Sequence, residues 1–172
     1  MTISETNVMT DILDFAMGIE KEGMAYYKHL SNTSLGKDVV SIFAYLSEEE
    51  KRHYEIFAAL RNNADAPPLE DFAILSRAPE VFKGLADHFE TYGVPATHYY
   101  NAYEKALRFE EKSVSFYTAA LTKINDDKQK ELVAKILDQE KTHVQFITNL
   151  LEFLRHPGEW LENAEWVHLD EF

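Results

Sequence analysis

Glu50-Lys51-Arg52-His53 and Glu140-Lys141-Thr142-His143 are two copies of one Glu-x-x-His motif, and the segments that lead up to them decide the fold. Residues three apart are neighbours on a helix surface, so each motif projects a carboxylate and an imidazole from one face. Around the first motif, Phe43, Leu46, Glu50, His53, Phe57 and Leu60 recur at steps of three and four. Around the second, Val133, Ile136, Glu140, His143, Ile147 and Leu150 do the same. That period predicts amphipathic helices over about Lys37 to Leu60 and Asp127 to Leu154, each with a glutamate and a histidine on its inward seam.

Upstream of each lies a partner. From about Thr10 to Leu30 the seam reads Leu13, Ala16, Glu20, Gly23, Tyr27 and Leu30, and from about Pro95 onward it reads Tyr103, Ala106, Glu110, Ser113, Tyr117 and Ala120. Pro95 suits a first helical turn, where a missing N–H costs nothing. A shift of ninety residues lays Glu20, Tyr27, Glu50 and His53 onto Glu110, Tyr117, Glu140 and His143 without a gap. The chain therefore reads as a duplicated helical hairpin.

In an antiparallel hairpin, two residues at one height lie equally far from the turn. The midpoint of Glu20 and Glu50 is residue 35, in Ser31-Asn32-Thr33-Ser34-Leu35-Gly36, and that of Glu110 and Glu140 is residue 125, at Asn125-Asp126-Asp127. Both fall on turn-forming residues. With 20 glutamates and 7 histidines in the chain, one Glu-x-x-His match is expected by chance, and Glu165 to His168 is such a match. Thirty residues before Glu165 stands Lys135 instead of a glutamate, so that match has no partner.

The expected architecture is an all-α four-helix bundle, residues 1–156, with duplicated antiparallel hairpins at about 10–60 and 95–154 joined by a long crossover connection. The connector, 61–94, should hold a short helix around Pro79 to Glu90. The tail, 157–172, carries Trp160, Leu161, Trp166, Leu169 and Phe172, and is expected to pack on the bundle or on a second subunit. Four carboxylates and two imidazoles from four helices would meet at one depth and could hold two divalent cations, whose charge four glutamates balance. Glu50 and Glu140 are placed to bridge.

These residues resemble the rubrerythrin family of the ferritin-like superfamily, in which each hairpin carries a glutamate, a tyrosine seven residues later and a Glu-x-x-His on the next helix. The resemblance implies a di-iron site, manganese or a mixed pair being possible. It implies Glu20 and Glu110 as terminal ligands, Glu50 and Glu140 as bridges, His53 and His143 as one nitrogen ligand per metal, and Tyr27 and Tyr117 as hydrogen-bond donors to the carboxylates. It also implies a peroxidase that reduces hydrogen peroxide or dioxygen with electrons from a separate donor protein such as a rubredoxin. Ferritin-type iron oxidation and handling is one alternative; a non-catalytic metal-binding module is another. Two departures matter. The cysteine-rich rubredoxin-like domain is absent, and Ser113 stands where many rubrerythrins have a further glutamate that exchanges with a histidine. Gly23 and Ser113 are small, either leaving space for an oxidant beside the metals or letting helices approach closely.

Composition narrows the rest. In 172 residues, 45% apolar with 13% aromatic suffice for one sizeable core. Thirty acidic against 17 basic residues, a formal charge of -13, argue against nucleic acid and anionic membranes as partners. Without cysteine there are no thiolate metal ligands. Met1 to Phe15 show no basic stretch followed by an apolar run, and no 18 consecutive residues are apolar, so a soluble cytoplasmic protein is expected; the connector and the bulky tail point to a small oligomer such as a homodimer. Runs such as Glu48-Glu49-Glu50 read as solvated faces in which only Glu50 turns inward.

Overall fold

The computed structural model describes residues 3–34, 37–69, 74–93 and 97–156. Five helices follow in order: α1 (Ile3–Thr33), α2 (Lys37–Arg61), α3 (Ile74–Tyr92), α4 (Thr97–Leu121) and α5 (Asp127–Arg155). There is no strand among the described residues. The described residues form an all-helical bundle. The tail expected to pack on the bundle, and Pro95, lie outside the described residues.

α1 pairs along its length with α2, and α4 with α5; α1 also faces α4 and α2 faces α5. The inward seams follow the three-and-four spacing: of the residues that carry it, only Leu60 is less than fully buried. α5 starts at an N-cap, Asp126, whose carboxylate accepts a hydrogen bond from the Gln129 amide at 2.9 Å. This is the turn that the Glu110–Glu140 midpoint predicts. α3 ends at Gly93, whose φ of 83° places it in the left-handed region that closes helices, with its N–H on the Phe89 carbonyl at 2.9 Å.

α3 is the connecting helix and packs on α2 and α5. It begins five residues before Pro79, where the sequence alone sets its start. Proline removes one helical hydrogen bond, but the turn before it carries Ile74 and Ala78, which are 1% and 0% exposed and anchor that extra length to the bundle. Phe82 then meets Phe146 and Phe153 with ring centroids at 6.1 and 5.5 Å.

The core is layered. One apolar cluster gathers Tyr27, Leu30, Phe43, Leu46, Tyr103, Ile147 and the inner face of α3. A second gathers Leu13, Ala16, Phe57, Tyr117, Val133 and Ile136. Between them, at one height on all four long helices, lie Glu20, Glu50, His53, Glu110, Glu140 and His143, each at most 1% exposed. Each fully buried large apolar side chain contributes roughly 1.5–3 kcal/mol. The apolar layers therefore hold the bundle shut around a polar layer that works against folding unless its charges are compensated. No helix among the described residues is long and apolar enough to cross a membrane.

Candidate metal centre

The six polar residues form two overlapping sets. Glu20, Glu50, His53 and Glu140 offer ligand atoms that all lie within 4.8 Å of one another, and so do Glu50, Glu110, Glu140 and His143. Glu50 and Glu140 belong to both sets, Glu20 and Glu110 to one each. The shared pair comes from α2 and α5, which face each other, and the unshared pair from α1 and α4.

Both imidazoles turn Nδ1 into the cluster. His53 Nδ1 is 3.0 Å from Glu140 Oε1 and 3.5 Å from Glu20 Oε2. His143 Nδ1 is 3.4 Å from Glu50 Oε1, 3.6 Å from Glu110 Oε2 and 3.8 Å from Glu140 Oε2. Eight buried atoms have no partner in hydrogen-bonding geometry: one oxygen each of Glu20 and Glu110, both of Glu50 and of Glu140, and the two Nδ1 atoms. A buried polar atom without a partner costs about 1–3 kcal/mol, and more when it is charged. Eight of them converging in one layer are what a pair of cations would satisfy, and oxygen with imidazole nitrogen is a donor set that suits iron and manganese. The residues present fit a di-metal centre.

The outer atoms of the cluster are fixed in a crossed pattern. The Tyr27 hydroxyl on α1 donates to Glu110 on α4, and the Tyr117 hydroxyl on α4 donates to Glu20 on α1. Tyr27 is stacked on Phe43 at 5.9 Å and Tyr117 on Phe57 at 5.4 Å, so an aromatic ring backs each donor. Burial first, and then the neighbouring Glu110 or Glu20, push both phenols well above their usual range, which keeps them protonated as donors.

Without metal, the charges of the layer compete. Burial, and next the other carboxylates, raise Glu50 and Glu140 well above the ordinary carboxylate range. Burial opposes ionisation of Glu110 as well, but the His143 imidazole beside it outweighs that and holds it low. For His53 and His143 burial disfavours the charged form, yet the adjacent carboxylates, led by Glu20 and Glu110 respectively, raise both well above the ordinary imidazole value. The metal-free layer is thus a proton store, with protons standing in for cations.

Two residues that the sequence analysis did not single out complete the site. Glu49 is not part of a solvated face. It is 3% exposed, and its Oε2 accepts from His143 Nε2 at 3.1 Å. The Gln139 amide oxygen accepts from His53 Nε2 at 2.8 Å. Positions 49 and 139 each stand one residue before a shared glutamate and ninety residues apart. That register is all the sequence offers; only the fold shows both as acceptors on the edge where α2 and α5 face each other, where a ligand histidine finds the partner its second nitrogen needs. Of the other histidines, His29 and His156 are exposed, and half-buried His88 lies against Phe89 and Tyr92.

Gly23 serves close packing. A Cβ there would sit 2.7 Å from Glu50 Oε2 and 2.7 Å from Phe109 Cε1, so the room is already taken by those side chains. Gly23→Ala is expected to destabilise the protein by roughly 1–3 kcal/mol and to weaken metal uptake by displacing Glu50. Urea unfolding of the metal-free and loaded forms measures both effects, and wild-type behaviour in each would contradict this packing role. Ser113, at the duplicate position, donates to the Phe109 carbonyl at 3.2 Å on its own helix.

Comparisons with known proteins agree with this architecture. A crystal structure from Thermotoga maritima, described as a ferritin-like diiron-carboxylate protein, superposes with a TM-score of 0.61 at 23% identity, covering 87% of this chain and 95% of that one. At that identity the likeness speaks for the fold. No curated protein matches the chain. The ferritin-like domain family matches residues 9–153, a span that contains all six clustered residues, and the chain belongs to that family.

Proposed function

We propose that the protein is a rubrerythrin-like di-iron peroxidase, supplied with electrons by a separate one-electron donor protein such as a rubredoxin. Glu20, His53, Glu110 and His143 would hold the two ions individually and Glu50 and Glu140 would hold both. Two ferrous ions bound there would supply the two electrons that, with two protons, reduce hydrogen peroxide to two waters. The observation that carries this reading is the set of eight partnerless donor atoms shared between two overlapping ligand groups. Four protein residues per ion leave coordination positions for a small oxidant, as reactive non-haem iron sites require.

The surroundings favour a neutral oxidant over a stream of cations. Apolar layers close the site along the bundle axis on both sides, with Phe43 and Leu46 in one and Ile136 and Phe57 in the other. Dioxygen is apolar and hydrogen peroxide uncharged, so either passes such walls at far lower cost than a ferrous ion, which, moving as cargo, would have to shed its hydration there. Tyr27 and Tyr117 keep Glu110 and Glu20 oriented, and their protonated hydroxyls lie beside the carboxylates.

The test is to load the protein with ferrous iron without air, add reduced rubredoxin and then peroxide, and follow both. The expected outcome is many turnovers at two donors oxidised per peroxide consumed. Oxidation that stops after one round, with iron passing to a chelator in solution, would support iron handling instead. Firmly bound metal that ignores peroxide would make the site structural.

A further inference from the structure

The two ligand sets are alike in what touches the cluster. Each has one unshared carboxylate, one imidazole and the same shared pair, and each unshared carboxylate accepts from one tyrosine. They differ behind the imidazoles. His143 donates its Nε2–H to the carboxylate of Glu49, and His53 donates to the amide oxygen of Gln139. A departure on the inward seam beside the cluster, Gly23 against Ser113, brings no hydrogen bond to a ligand, because the Ser113 hydroxyl bonds its own helix.

We propose that Glu49 and Gln139 are positioning residues that make the two metal positions unequal, so that the position of Glu110 and His143 binds a divalent cation first and more tightly than that of Glu20 and His53. This rests on the di-metal reading above. A hydrogen bond to an ionised acceptor is roughly twice as strong as one between neutral groups. It makes the imidazole a better electron-pair donor through Nδ1, the nitrogen that faces the cluster. Glu49 also adds a negative charge behind His143, and because it is 3% exposed that charge is poorly screened by solvent. Gln139 aligns the ring of His53 but adds no charge. The site is thus built to fill in order, one cation held firmly while the other exchanges more readily.

The test uses cobalt(II) alone on the full chain freed of metal. Calorimetric titration should show two steps separated well beyond the statistical difference of two equal positions, by about 10–100-fold. Anomalous scattering from crystals grown with one equivalent should place the cobalt at Glu110 and His143. Glu49→Gln should bring the two steps together and even out the occupancy. Gln139→Glu should tighten the weaker step, and the double exchange Glu49→Gln with Gln139→Glu should move the single cobalt to Glu20 and His53. A purely structural role for either residue would not reverse the preference. Equal occupancy in the wild type, or a preference that survives the double exchange, overturns the inequality and leaves the di-metal reading standing. Failure of every variant and of the wild type to take up cobalt overturns both.

Discussion

Stripped of divalent cations, the protein is expected to unfold at a temperature roughly 8–16 °C lower than with a single ion bound at a thousandfold excess over its dissociation constant. At that excess a ligand that binds only the folded state contributes about 4 kcal/mol, and in a chain of this size each kcal/mol moves the midpoint by about 2–4 °C. The cause lies in the middle layer, where six residues at most 1% exposed have eight atoms without partners. The apolar layers supply the stability, and the metal-free polar layer draws on it.

The same layer sets a pH dependence of opposite sign in the two forms. Glu50, Glu140, His53 and His143 all titrate higher in the metal-free fold than at their ordinary values of 4.5 and 6.5. The folded state then holds protons that the unfolded chain has released, so stability is fully present below those values and is lost as pH rises through 4.5, through 6.5 and beyond. Glu110 is lowered, so its contribution is present above 4.5 and lost in acid, against the trend of the other four. In the loaded protein cations replace the protons, and acid competes with them for the ligands, so stability rises with pH over the same window. Calorimetric melts of both forms from about pH 4 to 8 measure this (about three pH values suffice, spanning the His and Glu ranges). Parallel curves, or no change of midpoint on adding metal, would falsify the account.

How much of this was legible in the sequence follows from which interactions are local. The seam residues obey a spacing that any amphipathic helix must show, so four long helices and the height of Glu20, Glu50, Glu110 and Glu140 could be derived from periodicity and turn midpoints alone. The connecting helix is different. Pro79 is a strong local signal for a start, but burial of Ile74 and Ala78 against the bundle is a tertiary effect that one segment does not display. Glu49 was hidden for a similar reason. In a run of three glutamates, phase within α2 points only Glu50 at the bundle axis; the burial of Glu49 depends on α5 lying alongside and presenting His143. The role of Gly23 also needed coordinates, since spacing cannot tell a void from room already filled by Glu50 and Phe109.

Replacing one shared glutamate by its neutral isostere, Glu140→Gln, is expected to shift stability in opposite directions in the two forms. In the metal-free protein at pH 8 the substitution removes a buried carboxyl whose ionisation is opposed by burial, Glu110 and Glu20, and the new amide can donate to the carboxylates around it without a bound proton. That form should gain roughly 1–3 kcal/mol over metal-free wild type in chemical denaturation, about the cost of one buried group left without partners. With metal the sign reverses. Glu140 belongs to both ligand sets, so its loss weakens both positions at once and leaves two cations facing three carboxylates. Since partners outside the ligand set alone change metal affinity or activity by about 10–100-fold, a shared ligand should cost at least that much, and peroxide reduction should fall with it. Glu20→Gln gives the contrast: Glu20 belongs to one set, so one position should still fill with near wild-type affinity. A metal-free Glu140→Gln protein less stable than metal-free wild type would show that the carboxylate is a structural acceptor, because only a layer arranged around cations becomes easier to fold when one of its charges is taken away.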